Sequence, residues 1–298
     1  MFSGLSAFPL TPMNESGIDE AAFVRLVKRL VDANVDSIGA LGSTGSYAYL
    51  TRAERARVAQ LAVEHAGNVP VMVGISALRT RDVLTLAEDA QKAGASAVLL
   101  APMSYQKLST EEVFELYKTV TSSLSVPLCV YDNPGTTHFE FSDELYGRIA
   151  QLPNVRSIKI PGVPTDPEAA KAHVARLRAL IPSHVTLGVS GDALAAMGLN
   201  AGCEAWYSVI GGLFPRTALA ITRAALAGDA QAATRLSERL QPLWALFGQH
   251  GGSLRVVAAA AELRGLVEHP TLPLPLKALD GAADRQRLAV LLDELELA

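Results

Sequence analysis

Cysteine is scarce in this chain of 298 residues: there are two, Cys129 and Cys203, each inside an apolar stretch. A disulfide scaffold needs several paired cysteines in a short chain, so both read as buried thiols. Neither sign of charge dominates, with 26 Lys+Arg against 30 Asp+Glu and a formal charge of -4. Without a basic run, nucleic acid and anionic membranes are excluded as the main partner. No apolar run approaches the roughly 20 residues that a membrane helix needs. The Met1–Met13 segment lacks the positively charged start and apolar core of a secretion signal. A soluble, cytoplasmic protein is expected. The six histidines show no His-Glu-x-x-His and no paired metal-ligand spacing, so neither metal nor cofactor is expected. What the chain does have is apolar mass, 49% of its residues. That excludes a disordered or collagenous chain and allows a large core.

Short apolar runs alternate with longer helix-like runs eight times. The strand candidates are Ser6–Leu10, Val35–Leu41, Val71–Ile75, Ala97–Ala101, Leu128–Asp132, Val155–Ile160, Thr186–Val189 and Glu204–Ile210. Most are rich in β-branched residues, as suits strands covered on both faces. Between them, Phe23, Leu26, Val27, Leu30 and Val31 recur at helical spacing, as do Val113, Leu116, Tyr117 and Val120. Thr51 before Glu54 and Ser109 before Glu112 are capping-box patterns that open helices. Eight such units predict a (β/α)8 TIM barrel over residues 1–227, with an open doubly wound sheet as the alternative. After Gly228 the pattern becomes purely helical. Asp229–Gly248, Ser253–Val267 and Ala282–Leu297 read as a three-helix C-terminal appendage over 228–298, with the Pro-rich His269–Leu276 separating the last two.

The sixth strand candidate contains Lys159, the one lysine of seven that sits inside a β-like apolar segment. Period-two alternation puts Ile158 and Ile160 on one face and Val155, Ser157 and Lys159 on the other. If the isoleucines face the helices, Lys159 points into the barrel near the C-terminal strand end, where barrel active sites sit. Desolvation disfavours an ammonium, and a neutral amine forms Schiff bases with ketones. A lysine snorkelling from a strand end is the plainer alternative. Tyr131 shares a parity with Cys129 on the fifth strand and faces inward, one strand away, where a phenol can relay protons. After the second strand comes Gly42-Ser43-Thr44-Gly45-Ser46, whose backbone N–H groups and hydroxyls form a small nest for an anion such as a carboxylate. It is neither a Walker loop nor a dinucleotide turn. Gly188-Val189-Ser190-Gly191-Asp192 lacks the final glycine of a nucleophile elbow, which weakens a serine hydrolase reading. His138 follows the fifth strand and is a lesser candidate for the site.

Together these residues resemble the dihydrodipicolinate synthase/N-acetylneuraminate lyase family of Schiff-base-forming lyases and aldolases. The likeness runs through Phe8-Pro9-Leu10-Thr11-Pro12, Gly42-Ser43-Thr44-Gly45-Ser46, Leu50-Thr51-Arg52-Ala53-Glu54-Arg55, Tyr131-Asp132-Asn133-Pro134-Gly135-Thr136-Thr137, Lys159 and Ser190-Gly191-Asp192. The resemblance implies that Lys159 forms an imine with pyruvate or another 2-oxo acid. It implies that Ser43 and Thr44 hold the acid's carboxylate, that Tyr131 and Thr44 serve proton transfer, and that Thr136 and Ser208 line the substrate site. It implies a homo-oligomer, dimer or tetramer, in which a second tyrosine, here Tyr105, reaches a neighbouring site.

The chain also departs from the family pattern. Ser46 stands where an acidic residue is frequent, Ile160-Pro161 follows the lysine, and Thr136 stands where the synthases carry an arginine for the second substrate. Threonine has no bidentate fork. These departures leave open a true 4-hydroxy-tetrahydrodipicolinate synthase, a 2-keto-3-deoxy sugar-acid aldolase, or a non-catalytic binding protein on the same barrel.

Overall fold

The computed structural model describes residues 1–268, 271–279 and 281–298. Eight parallel strands close into a barrel: β1 Gly4–Ala7, β2 Ser37–Ala40, β3 Val71–Gly74, β4 Ala97–Leu100, β5 Leu128–Tyr131, β6 Val155–Ile160, β7 Thr186–Val189 and β8 Ala205–Ser208. Each strand pairs with its sequence neighbours, and β1 closes the ring by pairing with both β2 and β8. That is the predicted TIM barrel, not an open sheet. The helices that follow the strands are α1 Glu20–Asp32, α2 Arg52–His65, α3 Thr80–Lys92, α4 Thr110–Thr121, α5 Asp143–Ala150, α6 Pro167–Leu180, α7 Ala195–Asn200 and α8 Pro215–Leu226. Both capping boxes form: Thr51 and Glu54 exchange hydrogen bonds at the start of α2, and Ser109 and Glu112 do so at α4.

Burial falls into two clusters. The larger joins the outward strand residues to the inner helix faces, for example Ile38, Ile158 and Ile160 with Phe23, Leu26 and Val113. The smaller fills the barrel interior with Phe8, Met72, Ala97, Leu99, Ala101, Cys129, Tyr131, Ala205 and Tyr207. Both cysteines are free and buried, and desolvation pushes the Cys129 thiol up to about 11.

Three expectations change. The first strand runs over Gly4–Ala7 rather than Ser6–Leu10, because Pro9 has no N–H for the ladder. Val155 packs in the outer cluster instead of facing inward with Ser157 and Lys159. The reason is a register shift: Leu128 pairs with Val155 but Cys129 pairs with Ser157, so Arg156 is an extra residue that reverses parity. The helix expected over Asp229–Gly248 is broken into α9 Ala230–Glu238 and α10 Gln241–Gln249. Pro242 lacks the N–H for a bond to Glu238, and its ring would crowd that carbonyl. Helices α11 Leu254–Leu263 and α12 Ala282–Glu294 follow as expected. The side chains of Val256–Ala261 on α11 are buried. Of the Pro-rich separator, His269 and Pro270 lie outside the described residues. Among the described residues, no helix is long and apolar enough to cross a membrane.

Candidate active site

Tyr131 and Lys159 are register partners on β5 and β6. Both therefore project into the barrel at the C-terminal strand ends. Lys159 is only 5% exposed. Its Nζ lies 3.9 Å from the Tyr131 ring centroid, 4.1 Å from that of Phe8 and 5.8 Å from that of Tyr207. A three-ring cage thus removes the amine from bulk water and offers π faces to its charged form. Missing side chains on the neighbouring strands make room for the cage. Lys159 pairs with Gly188 on β7, and a Cβ there would overlap the Tyr207 ring. A Cβ at Gly39 would come within 2.5 Å of the Phe8 ring.

The loop after β2 reaches the same place. Its Ser43 Oγ lies 3.3 Å from the Tyr131 hydroxyl, and Asn133 Nδ2 donates to that hydroxyl at 2.8 Å. The serine, not Thr44, is thus the loop hydroxyl at Tyr131. Thr44 is buried beside it. Gly45 N–H and Ser46 N–H close the turn onto the carbonyls of Gly42 and Ser43, at 2.9 and 3.0 Å. No carbonyl among the described residues takes the N–H of Ser43 or Thr44. The turn opens at Leu41, a non-glycine residue at φ 58°. Leu41's carbonyl lies so close to Gly74 that any side chain there would collide with it.

Arg55, a residue of the family-like motif, is buried behind this loop. It donates to Gly74 O at 2.9 Å and Ser76 O at 2.8 Å. Its guanidinium sits over the Tyr47 ring, and desolvation lowers its pKa to about 10, so it stays charged at neutral pH. Asp132 turns away from the barrel interior and accepts a hydrogen bond from Tyr146. Burial pushes its carboxyl up to about 6 against that hydrogen bond, with Glu140 adding to the rise.

Other expected site residues are placed differently. Thr136 is exposed, and its hydroxyl donates to Asn133 O at 3.3 Å within the helical turn Pro134–Thr137. Ser208 is fully buried and committed, donating to Asp192 Oδ1 at 3.2 Å and accepting from Gly211 N at 2.8 Å. Asp192 also takes Trp206 Nε1 and the N–H groups of Val209 and Ile210, so it ties down the β8 end. Ser190 donates to Ile160 O at 2.8 Å, so its hydroxyl proton faces a backbone carbonyl rather than a side-chain base. His138 is exposed and lies in the left-handed region at φ 56°. Tyr105 is 90% exposed on the loop before α4, away from its own chain's core. Phe8, Tyr207 and Asn133 were not among the expected site residues, although Phe8 and Asn133 lie in the family-like motifs. Ser157, which alternation puts on the Lys159 face, has its hydroxyl 2.6 Å from that of Tyr207; Asn133 meets Tyr131 locally, two residues on, whereas the placement of Phe8 and Tyr207 depends on the barrel's closure. Among the described residues, no group of three or more His, Cys, Asp or Glu is placed to hold a metal ion.

Comparison with known proteins places the whole chain. A 4-hydroxy-tetrahydrodipicolinate synthase of Parvibaculum lavamentivorans is 33% identical over 294 residues, covering 98% of each chain. The crystal structure of dihydrodipicolinate synthase from Agrobacterium tumefaciens superposes with a TM-score of 0.94 at 46% identity, covering 99% of this chain and 98% of that one. The Acinetobacter baumannii synthase, solved with pyruvate, gives 0.89 at 26% identity over the whole of both chains. The model of the dihydrodipicolinate synthetase family matches residues 1–294. By that match, and by relatives alike over almost their whole length, the chain belongs to the dihydrodipicolinate synthetase family, whose members are lyases of the Schiff-base aldolase type.

Proposed function

We propose that Lys159 condenses with pyruvate or a closely related 2-oxo acid, and that the resulting imine serves as the electron sink for making or breaking a C–C bond. The observation that carries this is the amine of Lys159, buried among Phe8, Tyr131 and Tyr207, with the Tyr131 hydroxyl joined to Ser43. Attack of the neutral amine on the ketone carbon gives a carbinolamine. Loss of water from it needs a proton delivered to the departing oxygen. Tyr131 delivers that proton, and Ser43 is the hydroxyl through which it is exchanged. The N–H groups of Ser43 and Thr44, with the Thr44 hydroxyl, receive the carboxylate. A relative solved with pyruvate supports this choice of substrate.

Further features belong to the same proposal. Residues 1–227 form the catalytic unit and 228–298 the helical one, and the protein works in the cytoplasm as a homo-oligomer in which Tyr105 enters a neighbour's site. Thr136 offers no cation to the second substrate, so synthesis of 4-hydroxy-tetrahydrodipicolinate from pyruvate and aspartate semialdehyde is slow. A charge-assisted contact contributes about 1.5–3 kcal/mol, so its absence costs roughly tenfold or more.

Borohydride reduction in the presence of pyruvate tests the central step. One pyruvate-derived adduct per chain is expected, mapped to Lys159 by mass spectrometry and lost in Lys159→Ala. An adduct on another lysine, or none with any 2-oxo acid, would sink the assignment.

A further inference from the structure

The segment Tyr131–His138 is built around one residue that the reaction has not so far used. Asn133 is half-buried, and its Nδ2 donates to the Tyr131 hydroxyl at 2.8 Å. A phenol oxygen carries one proton and two acceptor positions. With the Asn133 amide filling one acceptor position, the phenol proton is directed away from Asn133, toward Ser43 Oγ at 3.3 Å or the space over Lys159. The backbone of Asn133 is itself held. Its carbonyl accepts the N–H groups of Thr136 at 3.0 Å and Thr137 at 2.9 Å, and the hydroxyls of the same two threonines at 3.3 and 3.0 Å. Thr136 and Thr137 therefore close the turn that aims the amide.

We infer that Asn133 is a positioning residue for imine chemistry: it orients the proton of the Tyr131 hydroxyl toward Ser43 and the reacting carbinolamine. This rests on the reading of Tyr131 as the acid–base group. Asn133 touches no reacting atom and acts through the phenol.

The test compares Asn133→Leu, Asn133→Asp, Tyr131→Phe and the double variant Asn133→Leu/Tyr131→Phe. The readout is the single-turnover rate of borohydride-trappable imine formed with pyruvate, measured from pH 5 to 9. Both Asn133 substitutions keep the carbonyl that the threonines hold, and near-ultraviolet circular dichroism checks each fold. Asn133→Leu is expected to slow the rate about three- to tenfold, the range for losing one neutral hydrogen bond, with little change in half-saturating pyruvate. Asn133→Asp gives a signature that a packing role would not. An introduced carboxyl can donate when protonated, but when ionised it accepts and draws the phenol proton toward itself. An aspartate carboxyl is ordinarily ionised from pH 5 upward, so Asn133→Asp, although the closer match in shape, is expected to be slower than Asn133→Leu across this range. The double variant is expected to be no slower than Tyr131→Phe alone.

Normal rates in Asn133→Leu, or equal slowing of both Asn133 variants at every pH, overturn the inference. With Tyr131→Phe still slow, such a result leaves the reading of Tyr131 standing. Normal rates in Tyr131→Phe overturn both.

Discussion

At the scale of single residues, the site depends on where protons sit. Tyr131→Phe removes one hydroxyl while the ring that covers Lys159 remains. Imine formation and dehydration are expected to slow by about 10²–10⁴, the usual range for losing a positioned acid–base group. Ser43→Ala is expected to slow the same steps more than Thr44→Val, since Ser43 makes the contact with the phenol. Single-turnover rates set beside melting temperatures check this. A destabilised Tyr131→Phe with normal imine kinetics would make Tyr131 a packing residue.

Asp132 gives a pH-dependent counterpart. Its carboxyl holds a proton up to about pH 6 in the folded chain, against 3.8 as the ordinary value. The folded state thus binds the proton more tightly, and native stability declines as pH rises from about 4 to 6. Above that range the cost of the buried charge is fully present, roughly 2–3 kcal/mol. Asp132→Asn keeps an acceptor for Tyr146 and removes the charge. Urea unfolding should show the variant gaining on wild type between pH 4 and 6, with a constant gap above. A gap that ignores pH would remove Asp132 as its source.

At the scale of elements, the strands succeed by what they omit. Gly188 sits opposite Lys159 on β7, and the space its side chain would occupy holds the Tyr207 ring. Gly188→Ala must displace that ring or the strand, which costs about 1–3 kcal/mol as overpacking in a dense core. Because Tyr207 is one wall of the lysine cage, trapping of pyruvate on Lys159 should slow together with the fall in melting temperature. A variant equally stable and equally reactive would show that the barrel interior yields there. The helices are more forgiving. Their start signals at Thr51 and Ser109 are local, and the structure realises both.

At the scale of the whole molecule, the barrel and its helices leave Tyr105 standing 90% exposed, with Leu78 at 60% and Tyr49 at 50%. A tyrosine so placed packs against little of its own chain. If it completes a neighbouring site, activity should fall on dilution as the sedimentation coefficient falls. Tyr105→Ala should then lower turnover while the carboxylate site of each chain still binds pyruvate. Full activity in a monomer, or in Tyr105→Ala, would take Tyr105 out of the site.

Much of this was legible in the sequence, for reasons that are local. Alternation along β5 and β6 aimed Tyr131 and Lys159 inward, eight apolar runs between amphipathic helices favoured a closed barrel over an open sheet, and two capping boxes marked where helices begin. These features rest on periodicity and on interactions within a few residues, which a linear chain displays. The bulge that turns Val155 outward was not legible, because an extra residue shows only against the partner strand. Nor was the commitment of Ser208 to Asp192, since those two residues meet only when the β8 end folds back on the loop after β7. The cage is the clearest case. Phe8, Tyr131, Lys159 and Tyr207 come from four strands or strand ends far apart in the chain, and only closing the barrel brings their rings around one amine. The sequence determined the kind of fold and pointed Lys159 into the barrel through short-range pattern. Tertiary structure decided which hydroxyl meets the phenol, which rings shield the lysine and which polar groups are already spent, because those depend on distances between strands that no local pattern encodes.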